Sequence, residues 1–367
     1  MKTYKNDTYK LSTEYPIKKI GNPDEILFFD IETTGLSAQY ASVYLIGCCY
    51  FDGSDWVIKQ WFAADIREEK EILADFLAFI EKYPILIHFN GNQFDIPFLK
   101  ERMKKHDLVD SFDKHIGVDI YKRIFPYRRF LKLTNCKQKT LEEFMGIHRT
   151  DEYNGGELIT VYKEYQKSGD SDALSLLLLH NADDVAGMFQ LLPILSFADF
   201  LQEKITVKKV QCDTYKDVNG EKRMELLISF SLQTPLPCPI SCRANSCYLT
   251  AKEKDGMLKV PVYLEEMKYF YADYKSYYYL PEEDVAIHRS VAGYVDPAFR
   301  QAATAATCYT RKYALYLPQW DYVFEPFFKR DYHSSNLFFE LTDTFKTDRE
   351  AFSRYASHIL SMMVKET

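Results

Sequence analysis

Two acidic residues, Asp30 and Glu32, stand two positions apart at the end of an apolar run from Ile26 to Ile31. The run follows the turn residues Pro23 and Asp24, and this pattern is typical of a buried strand. Because side chains alternate along a strand, both carboxylates point to the same face. Paired like charges are costly there unless a cation neutralises them. The pattern therefore favours a metal site over a solvated strand end.

Two further acidic motifs follow along the chain. Asp95 ends the segment N-G-N-Q-F-D, after a short predicted strand and before a helix that accepts Pro97 in its first turn. By itself Asp95 is more typical of a helix N-cap. His180 and Asp184 are four residues apart on a long predicted helix from about 172 to 192, so they share a face. A polar face on a surface helix would show the same pattern.

Taken together in this order, the three motifs resemble the DEDD family of 3′-5′ exonucleases on the ribonuclease H-like fold. The resemblance covers roughly residues 25 to 195, and more narrowly the chain is similar to a bacterial group of predicted ribonuclease H-like exonucleases. Asp30 and Glu32 match the first motif, whose D-I-E-T-T-G-L form is reproduced in full. Asp95 resembles the acid of the second motif, and Asp184 matches the last acid of the third.

The third motif departs from both common versions of the family pattern. The tyrosine subfamily reads Tyr-x-x-x-Asp, whereas the histidine subfamily has one more residue between His and Asp. Here His180 and Asp184 combine the tyrosine-type spacing with the histidine residue type. In the histidine register the partner of His180 would be Val185, which cannot bind a metal. Asp183 is the reserve candidate if the helix is rotated.

The resemblance implies a metal-dependent 3′-5′ exonuclease that acts on single-stranded DNA or RNA with two Mg²⁺ or Mn²⁺ ions. Asp30 would contact both ions, Glu32 and Asp184 the ion on the nucleophile side, and Asp95 the other ion, partly through water. His180 would orient or deprotonate the attacking water. The terminal nucleotide would be contacted by residues of the first motif, with support from the second: Thr33, Thr34, Leu36, Asn90 and Phe94.

Two other functions stay open. One is a catalytically impaired nucleic-acid-binding module, in which His180 marks a lost catalytic role, and the other is a structure-selective endonuclease. Residues 120 to 140 contain seven Lys or Arg and no Asp or Glu, and Arg128 and Arg129 are its candidate phosphate contacts. The interleaved aromatic residues Phe125, Tyr127 and Phe130 suit a single strand, although a solvated helix face explains the strip equally well.

The elements predicted around these motifs indicate an α/β protein. Three consecutive antiparallel strands near 26–31, 42–51 and 56–62 precede helices and a further strand, which predicts a ribonuclease H-like mixed sheet flanked by helices over residues 1–203. Residues 204–367 are predicted to form a smaller, strand-rich α+β domain of unknown role. Its predicted turns are Asn219-Gly220 and Asp255-Gly256, its predicted helices Pro297–Thr304 and Arg349–Val364. The aromatic cluster Tyr269–Tyr279 is interpreted as an alternating strand, with a base-stacking platform as the alternative.

Composition sets limits on the function. The chain of 367 residues has a net charge of −7, which argues against coating nucleic acid by bulk electrostatics. The polar N-terminus and the lack of a continuous apolar run of about 20 residues predict a cytoplasmic protein with no membrane partner. Eight cysteines are too few for a disulfide scaffold, and the spacing of Cys238, Cys242 and Cys247 disfavours a zinc site. Oligomeric state and sugar preference stay open.

Overall fold

The computed structural model describes residues 1–6, 9–148 and 155–366. The chain divides into two compact units, Met1–Asp199 and Phe200–Thr367. The domain boundary predicted after residue 203 falls immediately after the helix Leu195–Gln202.

The first unit is built on one six-stranded mixed sheet, as predicted. Its strand order is β1-β4-β3-β2-β5-β6, in which β2–β5 and β5–β6 pair in parallel and the other neighbours are antiparallel. The strands are β1 (Lys2–Asn6), β2 (Ile26–Thr33), β3 (Val43–Phe51), β4 (Trp56–Phe62), β5 (Ile85–His88) and β6 (Ile116–Asp119). The helices are α1 (Glu69–Ile80), α2 (Asp95–Lys105), α3 (Ile120–Ile124), α4 (Gln138–Phe144), α5 (Gly155–Ser168), α6 (Ser171–Gln190) and α7 (Leu195–Gln202).

The alternation of side chains along β2 decides which helices face its acidic residues. Leu27 and Phe29 pack in a core with apolar residues of α1 and α2. Phe28 points the other way and contacts Phe189 of α6, with 5.4 Å between ring centres. Because Asp30 shares the parity of Phe28, its carboxylate emerges on the side of the sheet that α6 covers.

The basic strip of residues 120–140 begins with a short helix. Helix α3 ends at Ile124, and Phe125–Tyr127 form a single 3₁₀ turn. Pro126 supplies no backbone N–H, so an α-helical hydrogen bond is missing at this point.

Segment Ser171–Gln202 is long and apolar enough, by length and composition alone, to cross a bilayer. The segment is not a continuous apolar run, because polar residues such as Asp183 and Asp184 interrupt it. Its most apolar window is 72% buried inside the protein, because α6 packs against the sheet. Such burial is typical of a core helix, and it accounts for the hydropathy without a membrane.

The second unit is strand-rich and contains two sheets, of order β14-β15-β13-β9-β8-β7 and β11-β10-β12. The strands are β7 (Thr206–Lys216), β8 (Lys222–Ala244), β9 (Cys247–Phe270), β10 (Tyr277–Leu280), β11 (Val285–His288), β12 (Gln301–Ala302), β13 (Tyr309–Gln319), β14 (Phe327–Phe328) and β15 (Leu337–Glu340). The helices are α8 (Arg289–Ala292), α9 (Asp343–Thr347) and α10 (Arg349–Glu366).

One predicted turn of this unit is confirmed and another is wrong. Gly220 adopts a left-handed φ of 79° in the turn between β7 and β8. Asp255 and Gly256 instead lie inside the continuous strand β9, where Gly256 pairs with Phe230. A Cβ atom at Gly256 would lie 2.2 Å from the Phe230 ring. The glycine therefore serves close side-chain packing in a strand rather than a turn.

Two other predictions for this unit need correction. The predicted helix Pro297–Thr304 is a 3₁₀ turn at Pro297–Phe299 followed by β12, because Ala302 pairs with Tyr278. The aromatic cluster Tyr269–Tyr279 is divided between the end of β9, a 3₁₀ turn at Tyr274–Ser276 and the start of β10.

A buried ion pair joins α1, α2 and the segment after β2. Arg102 donates to both carboxylate oxygens of Glu69, at 2.8 and 2.5 Å, and to Ala38 O and Ser42 Oγ. Glu69 also accepts the backbone N–H of Val43. The pair therefore fixes both helices to the chain that connects β2 to β3.

The Glu69 carboxyl is charged in the folded state. Burial alone would raise the pKa of Glu69, but hydrogen bonds from Arg102 and His106 outweigh it and hold the pKa below its usual value. The resulting stabilisation is present above the ordinary glutamate pKa and is lost as the pH falls through the folded-state pKa.

We expect Arg102→Met to lower the free energy of unfolding by about 3–5 kcal/mol at neutral pH, because it leaves a buried carboxylate without its main partner. Chemical denaturation monitored by circular dichroism measures this change. Glu69→Gln in the same background should restore part of the loss. Arg67→Met, at an exposed arginine paired with Asp65, is the control and should leave the unfolding free energy nearly unchanged. Equal losses in the two arginine variants would contradict the assignment.

Candidate active site

A cavity of about 700 Å³ lies in the first unit, beside the end of β2 and the middle of α6. All five residues predicted to be catalytic line it: Asp30, Glu32, Asp95, His180 and Asp184. Three of the predicted substrate contacts also line it: Asn90, Phe94 and Arg128. Strand β2, helices α2 and α6 and two loops therefore place acidic and basic groups around one space.

A hydrogen-bond chain behind the cavity positions Asp30. Asn181 Nδ2 donates to Asp30 Oδ2 at 3.1 Å, and Gln60 Nε2 donates to Asn181 Oδ1 at 2.9 Å. Gly47 lies opposite Asp30 in the β2–β3 register, and a Cβ atom there would lie 2.1 Å from Asn181 Oδ1. The absence of a side chain at Gly47 thus lets α6 bring Asn181 against the sheet.

Glu32, His180 and Asp184 form one compact group. His180 Nε2 lies 3.2 Å from Asp184 Oδ2 and 3.7 Å from Glu32 Oε1. One ligand atom from each of the three lies within 4.8 Å of the others, an arrangement that could hold a metal ion. Among the described residues this is the one such group of histidine, cysteine and acidic side chains.

Asp183, the reserve candidate, faces elsewhere. Tyr9 donates its hydroxyl to Asp183 Oδ1 at 2.6 Å, and Asp183 does not line the cavity. The helical register therefore presents Asp184, four residues after His180, to the cavity.

Asp95 begins α2 and faces the end of β2. Burial raises the pKa of Asp95 to about 7, although backbone N–H groups of Asp95 itself and of Ile31 oppose the shift. For Asp30, burial followed by repulsion from Asp184 and Asp95 raises the pKa well above its ordinary value. Crowded, buried oxygen donors of this kind are the ligand set that Mg²⁺ and Mn²⁺ prefer, so the residues present fit divalent cations.

Asp119, at the end of β6, holds the turn that carries Asn90. Its carboxylate accepts the backbone N–H groups of Asn90, Asn92 and Lys122 at 3.0, 3.3 and 3.2 Å. Asn90 takes a left-handed φ of 59° in this turn. The Asp119 carboxylate therefore fixes the shape of the cavity wall between β5 and α2.

One wall of the cavity combines aromatic rings with cations. The ring centres of Phe89 and Tyr121 are 6.1 Å apart, and those of Tyr121 and Phe125 are 5.4 Å apart. The Arg128 guanidinium lies 5.8 Å from the Phe125 ring centre, and Lys137 also lines this wall. We call this set, together with Lys139, the aromatic-basic wall.

Not every residue predicted to bind substrate reaches the cavity. Arg129 is exposed and does not line it. Thr33 and Thr34 instead form local hydrogen bonds, since Thr33 Oγ1 donates to Gly35 O and Thr34 Oγ1 accepts from Ser42 N. Leu36 is 86% exposed and also lies outside the cavity lining.

Two interleaved aromatic residues of the basic strip are also absent from the cavity. Phe130 is buried, and Tyr127 does not line the space. The irregular backbone after α3 aims Phe125 and Arg128 inward, and no helical or strand periodicity predicts that choice.

Several positioning residues were missed at the sequence level. Gln60 carried a usable signal, because it shares its strand face with the apolar Ile58 and Phe62. Asn181 and Asp119 stand beside charged or apolar residues without a distinctive spacing. Gly47 gave no signal, since its role depends on how closely α6 approaches β3.

Residues 27–196 match the RNase_H superfamily. Together with the mixed sheet order, this match shows that the first unit has a ribonuclease H-like fold.

Two curated proteins, both named as uncharacterized, are similar to the same region. YprB of Bacillus subtilis is 27% identical over 175 residues, which cover 46% of this chain and 41% of YprB. MJ0365 of Methanocaldococcus jannaschii is 29% identical over 184 residues, which cover 47% of this chain and 97% of MJ0365. The chain thus spans about two fifths of the length of YprB.

Solved structures with detectable similarity include two nucleic-acid enzymes. The family B DNA polymerase of Pyrobaculum calidifontis is 18% identical, with a TM-score of 0.39 over 49% of this chain and 26% of the polymerase. The Escherichia coli ExoI–ssDNA complex is 12% identical, with a TM-score of 0.28 over 57% of this chain and 55% of ExoI.

We expect Gly47→Ala to destabilise the first unit by about 1–3 kcal/mol, because the new methyl group overlaps Asn181 in a closely packed interior. Thermal unfolding measures the loss. Asn181→Ala in the same background should recover part of it by vacating the space. The matched control is Gly117→Ala in β6, where the added Cβ would meet its nearest neighbour at an ordinary 3.6 Å. If Gly47→Ala were as stable as the wild type, the close contact between position 47 and Asn181 would be ruled out.

Proposed function

We propose that this protein is a metal-dependent 3′-5′ exonuclease that hydrolyses single-stranded DNA or RNA from the 3′ end. The observation that carries the proposal is the cavity itself. It brings four carboxylates and a histidine together on one side and the aromatic-basic wall on another. The first side suits metal-assisted phosphodiester hydrolysis, and the second suits an unpaired strand.

The four carboxylates are the residues that would hold two divalent cations, Mg²⁺ or Mn²⁺. Asp30 would serve both cations, Glu32 and Asp184 would hold the cation on the nucleophile side, and Asp95 would hold the other. When bound, the two cations lower the pKa of the attacking water and neutralise charge on the leaving oxygen.

His180 is the proposed positioning group and proton acceptor for the water. Its Nε2 atom points to the space between Glu32 and Asp184, where a neutral imidazole can take a proton. The water oxygen forms a bond to the terminal phosphorus, and the bond from phosphorus to the 3′ oxygen of the preceding nucleotide breaks. The products are a nucleoside 5′-monophosphate and a strand shortened by one nucleotide with a new 3′-hydroxyl.

The aromatic-basic wall accounts for the proposed preference for single strands. Bases of an unpaired strand can stack on the exposed Phe125 ring, while Arg128 and Lys137 meet phosphates. In a duplex, stacking between neighbouring base pairs covers the faces of the bases and keeps them from such rings.

We expect the protein to shorten 5′-labelled single-stranded oligonucleotides from the 3′ end in Mg²⁺ or Mn²⁺, and EDTA to abolish the reaction. Asp184→Asn should lower kcat at least 10³-fold because it removes a carboxylate from the cation site. Gel analysis of DNA and RNA substrates measures both the polarity and the sugar preference. Asp183→Asn is the matched control on the neighbouring residue and should retain activity.

Other outcomes of this assay would replace the proposal. Internal cuts at early times would establish the endonuclease function instead. Binding of both nucleic acids without cleavage, under either metal, would establish a nucleic-acid-binding module without exonuclease activity.

We expect Phe125→Leu to raise KM for single-stranded substrates about tenfold with little change in kcat, because stacking of one base contributes about 1–3 kcal/mol. Arg128→Gln should also raise KM and weaken its salt dependence. Steady-state kinetics on oligonucleotides measure both effects. Tyr127→Leu and Arg129→Gln are the controls, since neither residue lines the cavity. Equal effects in the control pair would show that the wall does not bind substrate.

A further inference from the structure

The small sheet β11-β10-β12 of the second unit has two different faces. On one face Tyr277 and Tyr279 pack against a core that includes Ala286, Ala303 and Cys308. The Tyr279 hydroxyl donates to Asp284 Oδ1 at 2.6 Å. This face is therefore anchored, and it holds the backbone of β10 in place.

The opposite face presents Tyr278 beside two arginines. Tyr278 pairs with Ile287 of β11 and with Ala302 of β12. Arg289 begins α8 directly after β11, and Arg300 directly precedes β12. Their guanidinium carbons are 5.5 and 5.0 Å from the ring centre of Tyr278.

The two guanidinium groups have no carboxylate to neutralise them. Within residues 1–6, 9–148 and 155–366, neither Arg289 nor Arg300 forms a salt bridge. Arg300 is held by a hydrogen bond to the carbonyl oxygen of Ala292. Two positive charges beside one ring repel each other, and an anion between them would lower that electrostatic energy.

Three exposed apolar side chains stand close to these arginines in the sequence. Val291 and Tyr294 follow Arg289, and Phe299 precedes Arg300, and these three side chains are 57%, 93% and 52% exposed. Large apolar side chains in such positions are typical of a binding surface when they form a patch with specific polar groups. Here the polar groups are both cations suited to bidentate contact with a phosphate.

We propose that Tyr278, Arg289 and Arg300 form a binding site for single-stranded nucleic acid in the second unit. The guanidinium groups bind phosphates of the backbone, and the adjacent aromatic rings stack with unpaired bases. The site goes beyond the proposed exonuclease activity, because it uses none of the carboxylates of the cavity. It gives the strand-rich unit a nucleic-acid-binding function of its own.

The test measures binding of the full chain to a fluorescein-labelled 20-nucleotide single strand, of DNA and of RNA, by fluorescence anisotropy in EDTA. We expect the double variant Arg289→Gln, Arg300→Gln to raise Kd at least tenfold. Two lost phosphate contacts should also reduce the slope of log K against log salt by about 1.4. Tyr278→Leu should raise Kd while leaving that slope unchanged.

The matched control is the double variant Arg223→Gln, Arg243→Gln, which makes the same change in net charge within the same unit. Arg223 is paired with Asp217 and Glu221, and Arg243 lies over Tyr248 without a second guanidinium. This control should bind like the wild type. The single variant Arg289→Glu should also raise Kd, and its thermal unfolding should match the wild type because Arg289 makes no hydrogen bond within the described residues.

Unchanged affinity in the Arg289, Arg300 double variant would overturn the proposal, and so would an equal loss of affinity in the control double variant. A third contradicting result is displacement of the oligonucleotide by a poly-glutamate peptide at equal charge concentration. The last result would identify an acidic protein segment as the ligand. A negative result in this binding assay leaves the exonuclease proposal untouched. The exonuclease proposal is tested separately, by Asp184→Asn in the cleavage assay.

Discussion

The first unit depends on keeping four carboxylates close together in a partly dehydrated space. Burial and mutual repulsion raise the pKa values of Asp30 and Asp95, so the cluster opposes folding unless cations or protons balance its charge. The apolar packing of β2 and α6 supplies the free energy that holds the cluster in place. Buried groups with strongly shifted pKa values, held by rigid apolar packing, are common at functional sites.

The support for this cluster extends beyond the residues that line the cavity. Gln60 and Asn181 orient Asp30, and they fit only because Gly47 has no side chain. The buried pair of Glu69 and Arg102 fixes the segment that follows the first motif. Both networks use buried polar groups whose hydrogen bonds are specific in direction, so they determine geometry more than they add stability.

The two units present similar chemistry on different scaffolds. In the first, Phe125 and Arg128 belong to an irregular segment after a short helix. In the second, Tyr278 and its two arginines project from a small antiparallel sheet whose other face is packed. An aromatic ring beside a guanidinium group offers a base and a phosphate partner together. The net charge of −7 does not exclude such contacts, because local arrangement decides them.

The sequence by itself determined the strand that carries Asp30 and Glu32, the helix that carries His180 and Asp184, and the mixed sheet, since these depend on local periodicity and motif spacing. Only the tertiary structure decided that Asp184 rather than Asp183 faces the cavity, and that Phe125 and Arg128 point inward while Phe130 is buried. It also placed Gly256 under Phe230 instead of in a turn. The physical reason is that such choices depend on contacts between segments far apart in the chain, which no local pattern encodes.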